Sequence, residues 1–295
     1  MKNEFVTVRV PGTTSNLGPG FDTLGVALRL YNYITVSRRE SRKPVSNGAQ
    51  PADISGGAMV REAGDLFFRQ TKTRRFAFKI IVTGDVPIAR GLGSSVTVRL
   101  GVVGGLDRLA GTRLGRDRLL DLVTELEHHP DNAAPALFGG FTIAGMIGSG
   151  VRCLPFPVKN PARFVALIPR FELSTEAARK LVPETFSKAD TVHNLNRTAF
   201  ISAAFASGKY GVLRGMFEDR VHQPYRERLL PQLSKVIQNG ERAGAVGGWL
   251  SGSGSTIMCL ATARTARPVA TAMQAALPDS DLRILAADND GLRFV

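Results

Sequence analysis

Apolar positions alternate near the start of the chain, with Val6, Val8 and Val10 on one face of an extended segment. A period of two predicts a half-buried strand, which Pro11 and Gly12 should stop. Tyr31–Ser37 and Phe76–Gly84 carry the same signature. After Gly93 the period lengthens. Val98, Val102, Leu106 and Leu109 recur at helical spacing, and Ser94 or Ser95 is placed to cap the start. Leu119–Leu126 predicts a second helix, closing near His128, His129 and Pro130. Gly140–Met146 and Arg163–Pro169 read as strands, and helical patterns dominate from Ser174 to Gly240. A strand near Thr256–Ala261, a helix near Ala266–Leu277 and a strand around Leu282–Ala287 complete the series. Strands and helices mix without a regular βαβ rhythm, so the predicted class is α+β.

A length of 295 residues exceeds one typical domain and favours two lobes. Composition marks their boundary weakly, between about 150 and 165, and we place the lobes at 1–155 and 156–295. The excess of 13 basic over acidic groups favours anionic partners. The densest basic clusters, Arg38, Arg39, Arg42, Lys43 and Lys72, Arg74, Arg75, lack interleaved aromatics, so they read as solvated surface and no nucleic acid is expected. Cys153 and Cys259 sit in apolar runs without CxxC spacing, which argues against a disulfide framework or a zinc site and suits a reducing cytoplasm. No apolar core follows the basic start, so no signal peptide is expected. Ala133–Val151 and Ala243–Ala263 are uncharged and long enough to span a bilayer, but repeated glycines break them. They read as buried strands joined by glycine turns, and no membrane contact is expected.

The chemistry concentrates between a predicted strand and helix. Pro87, Ile88, Ala89 and Arg90 lead into Gly91, Leu92 and Gly93, and Ser94, Ser95, Val96 and Thr97 open the helix. Glycines let backbone amides approach an anion, and the helix start adds its free N–H groups and positive dipole end. The serines add hydroxyls and Arg90 adds charge. This suits a polyphosphate, although the loop is neither a Walker motif nor GxGxxG. A plain glycine turn with a serine cap fits this segment equally well.

Three motifs in order decide between these readings. The loop resembles the ATP-binding motif of the GHMP kinases, Pro-x₃-Gly-Leu-Gly-Ser-Ser. The segment from Val10 to Asp22, VPGTTSNLGPGFD, resembles that family's N-terminal motif in its homoserine kinase form. Gly248–Thr256, GWLSGSGST, is similar to the third motif. The segment HPDNAAPALFGG from His129, ARKLVP from Ala178 and HQPYR from His222 are similar to homoserine kinase segments.

The resemblance implies an N-terminal lobe like domain 2 of ribosomal protein S5 and a ferredoxin-like C-terminal lobe. It implies ATP on the loop Pro87–Thr97, Mg2+, and transfer of phosphate to the side-chain hydroxyl of L-homoserine, a step of threonine biosynthesis. It carries Asn16 and Asp22 to the substrate's ammonium and hydroxyl region, and Arg179 and Arg226 to its carboxylate and the transferred phosphate. Planar guanidinium groups suit both anions. Asn132 is implied to orient the hydroxyl, His129 to hold substrate or loop, and Glu127 with Ser94 to bind the metal. Glu125 remains open as the metal ligand instead. Members of the family are often dimers, which leaves a homodimer open.

Departures from the family pattern are His128 for a usual glycine, Val96, Thr97 and Arg99 for mostly small residues, and Ser255 for proline. His128 is the one that bears on the acceptor pocket. The nearest alternative is a related kinase acting on L-threonine, a modified amino acid or another alcohol. A second, of another class, is an inactive anion- or RNA-binding protein.

Overall fold

The computed structural model describes residues 4–38, 54–55 and 57–295. Of the basic cluster near residue 40, Arg39, Arg42 and Lys43 lie outside the described residues. The N-terminal part runs β1 (Phe5–Ser15), β2 (Leu24–Arg38), β3 (Ile54–Ser55), α1 (Ala58–Thr71) and β4 (Phe78–Gly84). It continues with α2 (Ser94–Ala110), α3 (Arg116–Glu127), α4 (Ala133–Phe138), β5 (Phe141–Ile147) and β6 (Gly150–Phe156). Then follow β7 (Ala162–Pro169), α5 (Thr175–Lys180), α6 (Lys188–Ser207), α7 (Gln223–Arg226) and α8 (Leu233–Arg242). The chain ends with β8 (Gly247–Leu250), β9 (Ile257–Thr262), α9 (Ala266–Ala276), β10 (Ser280–Leu285) and β11 (Arg293–Phe294).

Two sheets result. The first has the order β11-β1-β2-β4-β3, with β5 joining β2 and β6 joining β5. The second is antiparallel in the order β10-β7-β9-β8. Alternation explains the layers. Val6, Val8 and Val10 pack with Leu100, Val103 and Leu106 of α2. In β7, Val165 and Leu167 face α8 and α9, while Phe164, Ala166 and Ile168 face the middle of the molecule. There they meet Leu24, Val26 and Leu28 of β2, and Phe205 of α6 stacks on Phe141 of β5 at 4.5 Å. A fully buried side chain of this size contributes roughly 1.5–3 kcal/mol, so this middle core holds the two sheets together. Glycines in α2 serve that packing. A Cβ at Gly105 would come within 2.4 Å of Val36 Cγ2.

Several expectations change. Pro11 and Gly12 do not end β1. The strand runs to Ser15 with a register shift between Pro11 and Thr13, because the bend lets Thr13 N bond Leu92 O at 3.0 Å. Neither Ser94 nor Ser95 caps α2. The cap position is Gly93 at φ +70°, and no side chain caps it. Ala133–Val151 begins with a helix rather than a strand, β6 was not expected, and β8, with 4 residues, is too short to show a period. The C-terminal strand returns to the first sheet, where Arg293 pairs with Arg9. Lys72, Arg74 and Arg75 are exposed, as a solvated cluster should be. No described helix is long and apolar enough to cross a membrane.

His128 is also reassigned. It is exposed at the C-terminal cap of α3 with φ +69°, and its N–H bonds Thr124 O at 2.7 Å. The left-handed conformation explains why glycine suits this position, and it turns the side chain to solvent rather than into a pocket. His128→Gly should therefore stabilise the protein by ~1 kcal/mol, seen as a higher Tm, with unchanged acceptor KM. A shifted KM with an unchanged Tm would return this residue to the acceptor site.

Candidate functional site

A cleft of about 400 Å³ opens at the seam between the sheets, lined by the glycine loop, the end of β1 and the segments around Arg179, Arg226 and Gly252. The loop's geometry follows from where its carbonyls go. Ala89 O accepts from Leu173 N at 3.4 Å, and Arg90 O from Thr256 N at 3.1 Å. Gly91 O accepts from Ser251 Oγ at 2.6 Å, and Leu92 O from Thr13 N at 3.0 Å. Four successive carbonyls thus point out of the cleft into the surrounding scaffold. The first amides of α2 have no intrahelical partner and no capping side chain, so they remain for an anion. Arg90 itself is not aimed at a ligand. Its guanidinium donates to Pro169 O at 2.9 Å, Ile88 O at 3.0 Å and Arg170 O at 2.5 Å, and staples the loop to the end of β7.

At the other end of the cleft, residues 16–22 form a tight loop. Asn16, Leu17, Gly18 and Asp22 all have positive φ. The conformation is held from several sides. Asn16 Nδ2 donates to Gly252 O at 3.1 Å, and Asn16 Oδ1 accepts from Asp22 N at 3.0 Å. Pro19 O accepts from Asn194 Nδ2 and Thr198 Oγ1 of α6. The loop presents Asp22 to Arg179 Nη2 at 2.7 Å. Phe21 stacks on His222 at 5.0 Å, with Arg226 and Arg179 at 5.1 and 5.6 Å from its ring centre. Arg226 is buried and bonds Ala178 O, His222 Nδ1 and Gly252 O, all neutral. Burial, and next the charge of Arg179, pull its pKa down to about 10, so it stays cationic at neutral pH. A buried cation bonded only to neutral acceptors favours an incoming anion.

Between these ends lie His129, Asp131 and Asn132, where the turn after α3 enters α4. His129 Nδ1 and Asp131 Oδ1 are 2.5 Å apart. Burial disfavours a charged imidazole, but the hydrogen bond and charge of Asp131 prevail, and His129 titrates above its ordinary value. Burial would likewise raise Asp131, yet the hydrogen bond and charge of His129 hold it below the usual carboxylate range. Each partner therefore favours the charged form of the other. Asn132 is fixed on both sides of its amide. Oδ1 accepts from Thr13 Oγ1 at 2.7 Å, and Nδ2 donates to Ser15 Oγ at 2.9 Å.

Glu127 and Glu125 separate cleanly. Glu127 lines the cleft, with Oε2 accepting from Ser95 Oγ at 3.1 Å and Oε1 bonded to Arg99 Nη1 at 2.9 Å. Glu125 is exposed and reaches Arg69 and Gln70 at 3.4 Å. Asp22, His129 and Asp131 also cluster closely enough to suggest a metal. Their bonds to Arg179 and to one another already balance their charge.

The cleft thus gathers Asn16, Asp22, His129, Asn132, Arg179 and Arg226 with Glu127 and Ser94. From the expected phosphate segment it includes Ile88, Ala89, Arg90, Gly91, Gly93, Ser94, Ser95 and Val96. Pro87, Leu92 and Thr97 lie outside the lining. Leu92 is a core residue, and Thr97 Oγ1 accepts from Asn32 Nδ2 at 2.8 Å beneath the loop. Sequence reasoning gave no role to Thr13 or Ser15, although both stand in the first motif. It also passed over Met59, which joins Val98 at an apolar side of the cleft and follows no motif.

Comparison with known proteins identifies relatives of the chain. The N-terminal domain of the GHMP kinases matches residues 58–140, and their C-terminal domain matches 201–279. Homoserine kinase of Clostridium beijerinckii is 39% identical over 257 residues, 86% of each chain. Homoserine kinase of Microchaete diplosiphon is 36% identical over 294 residues, 97% of this chain and 96% of that one. The crystal structure of homoserine kinase from Cytophaga hutchinsonii superposes with a TM-score of 0.87 at 22% identity, covering 100% and 98% of the two chains. At that identity the superposition speaks for the fold, and the two-lobe α+β expectation holds.

One substitution tests the loop. A Cβ at Gly93 would lie 2.2 Å from Thr13 Oγ1, at a backbone φ of +70°. Gly93→Val should displace Thr13, release its bond to Asn132 and block the loop amides. Nucleotide affinity in calorimetry and acceptor KM should worsen together, at a conformational cost of about 1–3 kcal/mol. Unchanged nucleotide affinity would reduce the loop to a structural turn.

Proposed function

The chain belongs to the homoserine kinase family of the GHMP kinases, and on that premise we propose that it transfers the γ-phosphoryl group of ATP to the side-chain hydroxyl of L-homoserine. The product is O-phospho-L-homoserine, with ADP released. The observation that carries the substrate is the charge pattern at the acceptor end. Asp22 is 2.7 Å from Arg179, and across Phe21 lies Arg226, bonded only to neutral groups. A zwitterion needs an anion for its ammonium and a cation for its carboxylate, and these three residues supply both. An acceptor without charges would leave Arg226 without an anion in a buried setting.

The rest of the cleft serves the transfer. The amides that open α2 hold the phosphates and stabilise negative charge as it shifts towards the leaving group. The hydroxyl oxygen attacks the γ-phosphorus, the bond from that phosphorus to the β,γ-bridging oxygen breaks, and the hydroxyl proton leaves to phosphate oxygen or water. Asn132 Oδ1 accepts from Thr13 and retains a lone pair for the acceptor hydroxyl. Its amide is fixed from both sides, which suits alignment rather than proton abstraction.

We assign Mg2+ to Glu127, whose Oε1 pairs with Arg99 while Oε2 faces the serines. Glu127 Oε2 lies beside Ser95, with Ser94 next to it, an all-oxygen set suited to a hard cation. When bound with ATP, the ion would supply charge neutralisation on the phosphates. The free thiols Cys153 and Cys259 support a cytoplasmic setting. The reading as an inactive polyanion binder loses its basis, since the arginines of the cleft serve a small acceptor and the loop staple.

The decisive assay follows ADP release with L-homoserine, D-homoserine, L-threonine, L-serine and a simple alcohol. L-Homoserine should be preferred strongly. Equal turnover of the simple alcohol would sink the amino-acid reading. Glu127→Gln should raise the Mg2+ concentration needed for nucleotide binding and lower turnover, while Glu125→Gln should leave both near wild type. The reverse pattern in a Mg2+ titration would move the metal to Glu125.

A further inference from the structure

His222 lies at the start of α7 with no solvent exposure, four residues before Arg226. Its ring contacts dictate its protonation: Nε2 lies 3.4 Å from the buried Asp219 Oδ2, and each ring nitrogen has one closer partner. Nδ1 is 3.2 Å from Arg226 Nη1, a group that can only donate. Nε2 is 2.8 Å from Gly18 O, a group that can only accept. The imidazole is therefore neutral, with its proton on Nε2 and a free lone pair on Nδ1. Phe21 stacks against it. Asp219 fixes the backbone, accepting from Val221 N, His222 N and Gln223 N, and Asn194 Nδ2 donates to the same carboxylate. Gly18 admits no side chain here, since a Cβ would meet Phe217 O at 2.2 Å.

We propose that His222 is a positioning residue for the acceptor, a neutral imidazole that locks the loop carrying Asp22 to the guanidinium of Arg226. The proposal rests on the acceptor reading above. Through His222 the ammonium side and the carboxylate side of the pocket are set at a fixed separation, so one imidazole governs the length of zwitterion that fits. Adding a proton to Nδ1 would face N–H against N–H at Arg226 and break the lock. The charged groups around the ring act in both directions. Asp219 and Asp22 favour the cation, while burial, which ranks first, and Arg226 disfavour it. The net result is a pKa below the ordinary value of 6.5. The lock thus stands at neutral pH and fails only in acid.

The variants His222→Asn and His222→Gln divide the ring's two functions. Asparagine keeps an acceptor near the Nδ1 position, and glutamine keeps a donor near the Nε2 position. In the wild type, KM for the acceptor should hold through neutral pH and rise only in acid, below the ordinary imidazole range, with a smaller effect on kcat and on nucleotide affinity. His222→Asn drops the bond to Gly18 O, so it too should raise KM at neutral pH, and it should lose this acid limb. His222→Gln should raise KM by about tenfold or more at neutral pH, the loss of one buried bond to a charged group. Wild-type KM and an unchanged acid limb in both variants would overturn the proposal. The 15N spectrum of the imidazoles supplies a readout independent of the substrate, with the His222 signals assigned by their loss in the variants. A protonated Nε2 and bare Nδ1 at pH 7 are expected, and a proton on Nδ1 would overturn the proposal even if L-homoserine is the acceptor. If L-homoserine fails but the tautomer and the acid limb for another acceptor hold, the lock stands and only the substrate changes.

Discussion

The site depends on the outward bonding of four carbonyls in succession, from Ala89 to Leu92. Each is taken by a different part of the scaffold: the segment after β7, the start of β9, the serine after β8, and β1. A peptide plane whose oxygen is held on one side presents its nitrogen on the other, so these bonds aim the backbone towards the anion before any anion arrives. That pre-organisation needs the two lobes to meet. Ser251 and Thr256 come from the C-terminal part and Thr13 from the N-terminal part. Trp249 reinforces the junction, buried on Phe217 with its Nε1 bonded to Thr14 Oγ1 at 2.9 Å. The three family motifs are therefore one structural unit split across the chain, and the phosphate loop is the member that all the others hold.

The acceptor end uses the same device with charges added. Its loop is bound through backbone groups at Gly18 and Pro19, which leaves Asp22 free to meet Arg179. Buried charges are expensive unless paired, and each here is matched differently. Asp131 has His129, Glu127 has Arg99, and Asp22 has Arg179. Arg226 alone among these cleft groups is met by neutral partners. Asp22, Asp131 and Asp219 favour its charge from a distance, but none bonds it directly, and a buried cation bonded only to neutral groups gains from a ligand that brings an anion.

Much of this was legible in the sequence. The strand periods of β1, β2 and β4 and the helical spacing of α2 follow from residue pattern alone, and β7 was legible as a strand though not in its sidedness. The motifs located the cleft residues, because glycines and serines at fixed spacing report backbone geometry directly. What escaped depended on contacts distant in sequence. Pro11 and Gly12 carry turn chemistry, yet β1 continues because Leu92 O offers Thr13 N a partner. Ser94 and Ser95 look like caps, but a cap there would consume the amides that the phosphates need, and Gly93 takes the position. His128 looked like a pocket residue until its positive φ placed it at a helix end. Met59 belongs to no motif, so only folding brings it to the cleft. Arg99 stood out as an exception to the small residues of its helix, and its partner Glu127 was invisible without the crossing of α2 and α3.

The pairing of Asp131 with His129 also bears on how the acceptor hydroxyl loses its proton. Asp131 is a carboxylate of the cleft lining, and its pKa lies below the ordinary value. Oδ1 already holds the His129 proton and receives Asn132 Nδ2 at 3.3 Å, while Ser15 bonds the same carboxylate. Those bonds lower its affinity for a further proton, and a group held well below the usual carboxylate range is a weak base at neutral pH. The same bonds make it a firm support for Asn132 and Ser15, both of which line the cleft. Phosphoryl transfer through a loose transition state asks little of a base, because the hydroxyl becomes acidic only as its bond to phosphorus forms. Alignment alone lowers such a barrier by up to ~7–11 kcal/mol in favourable cases. On the proposed reading, Asp131 therefore serves to hold the turn rigid, and the reacting phosphate takes the hydroxyl proton.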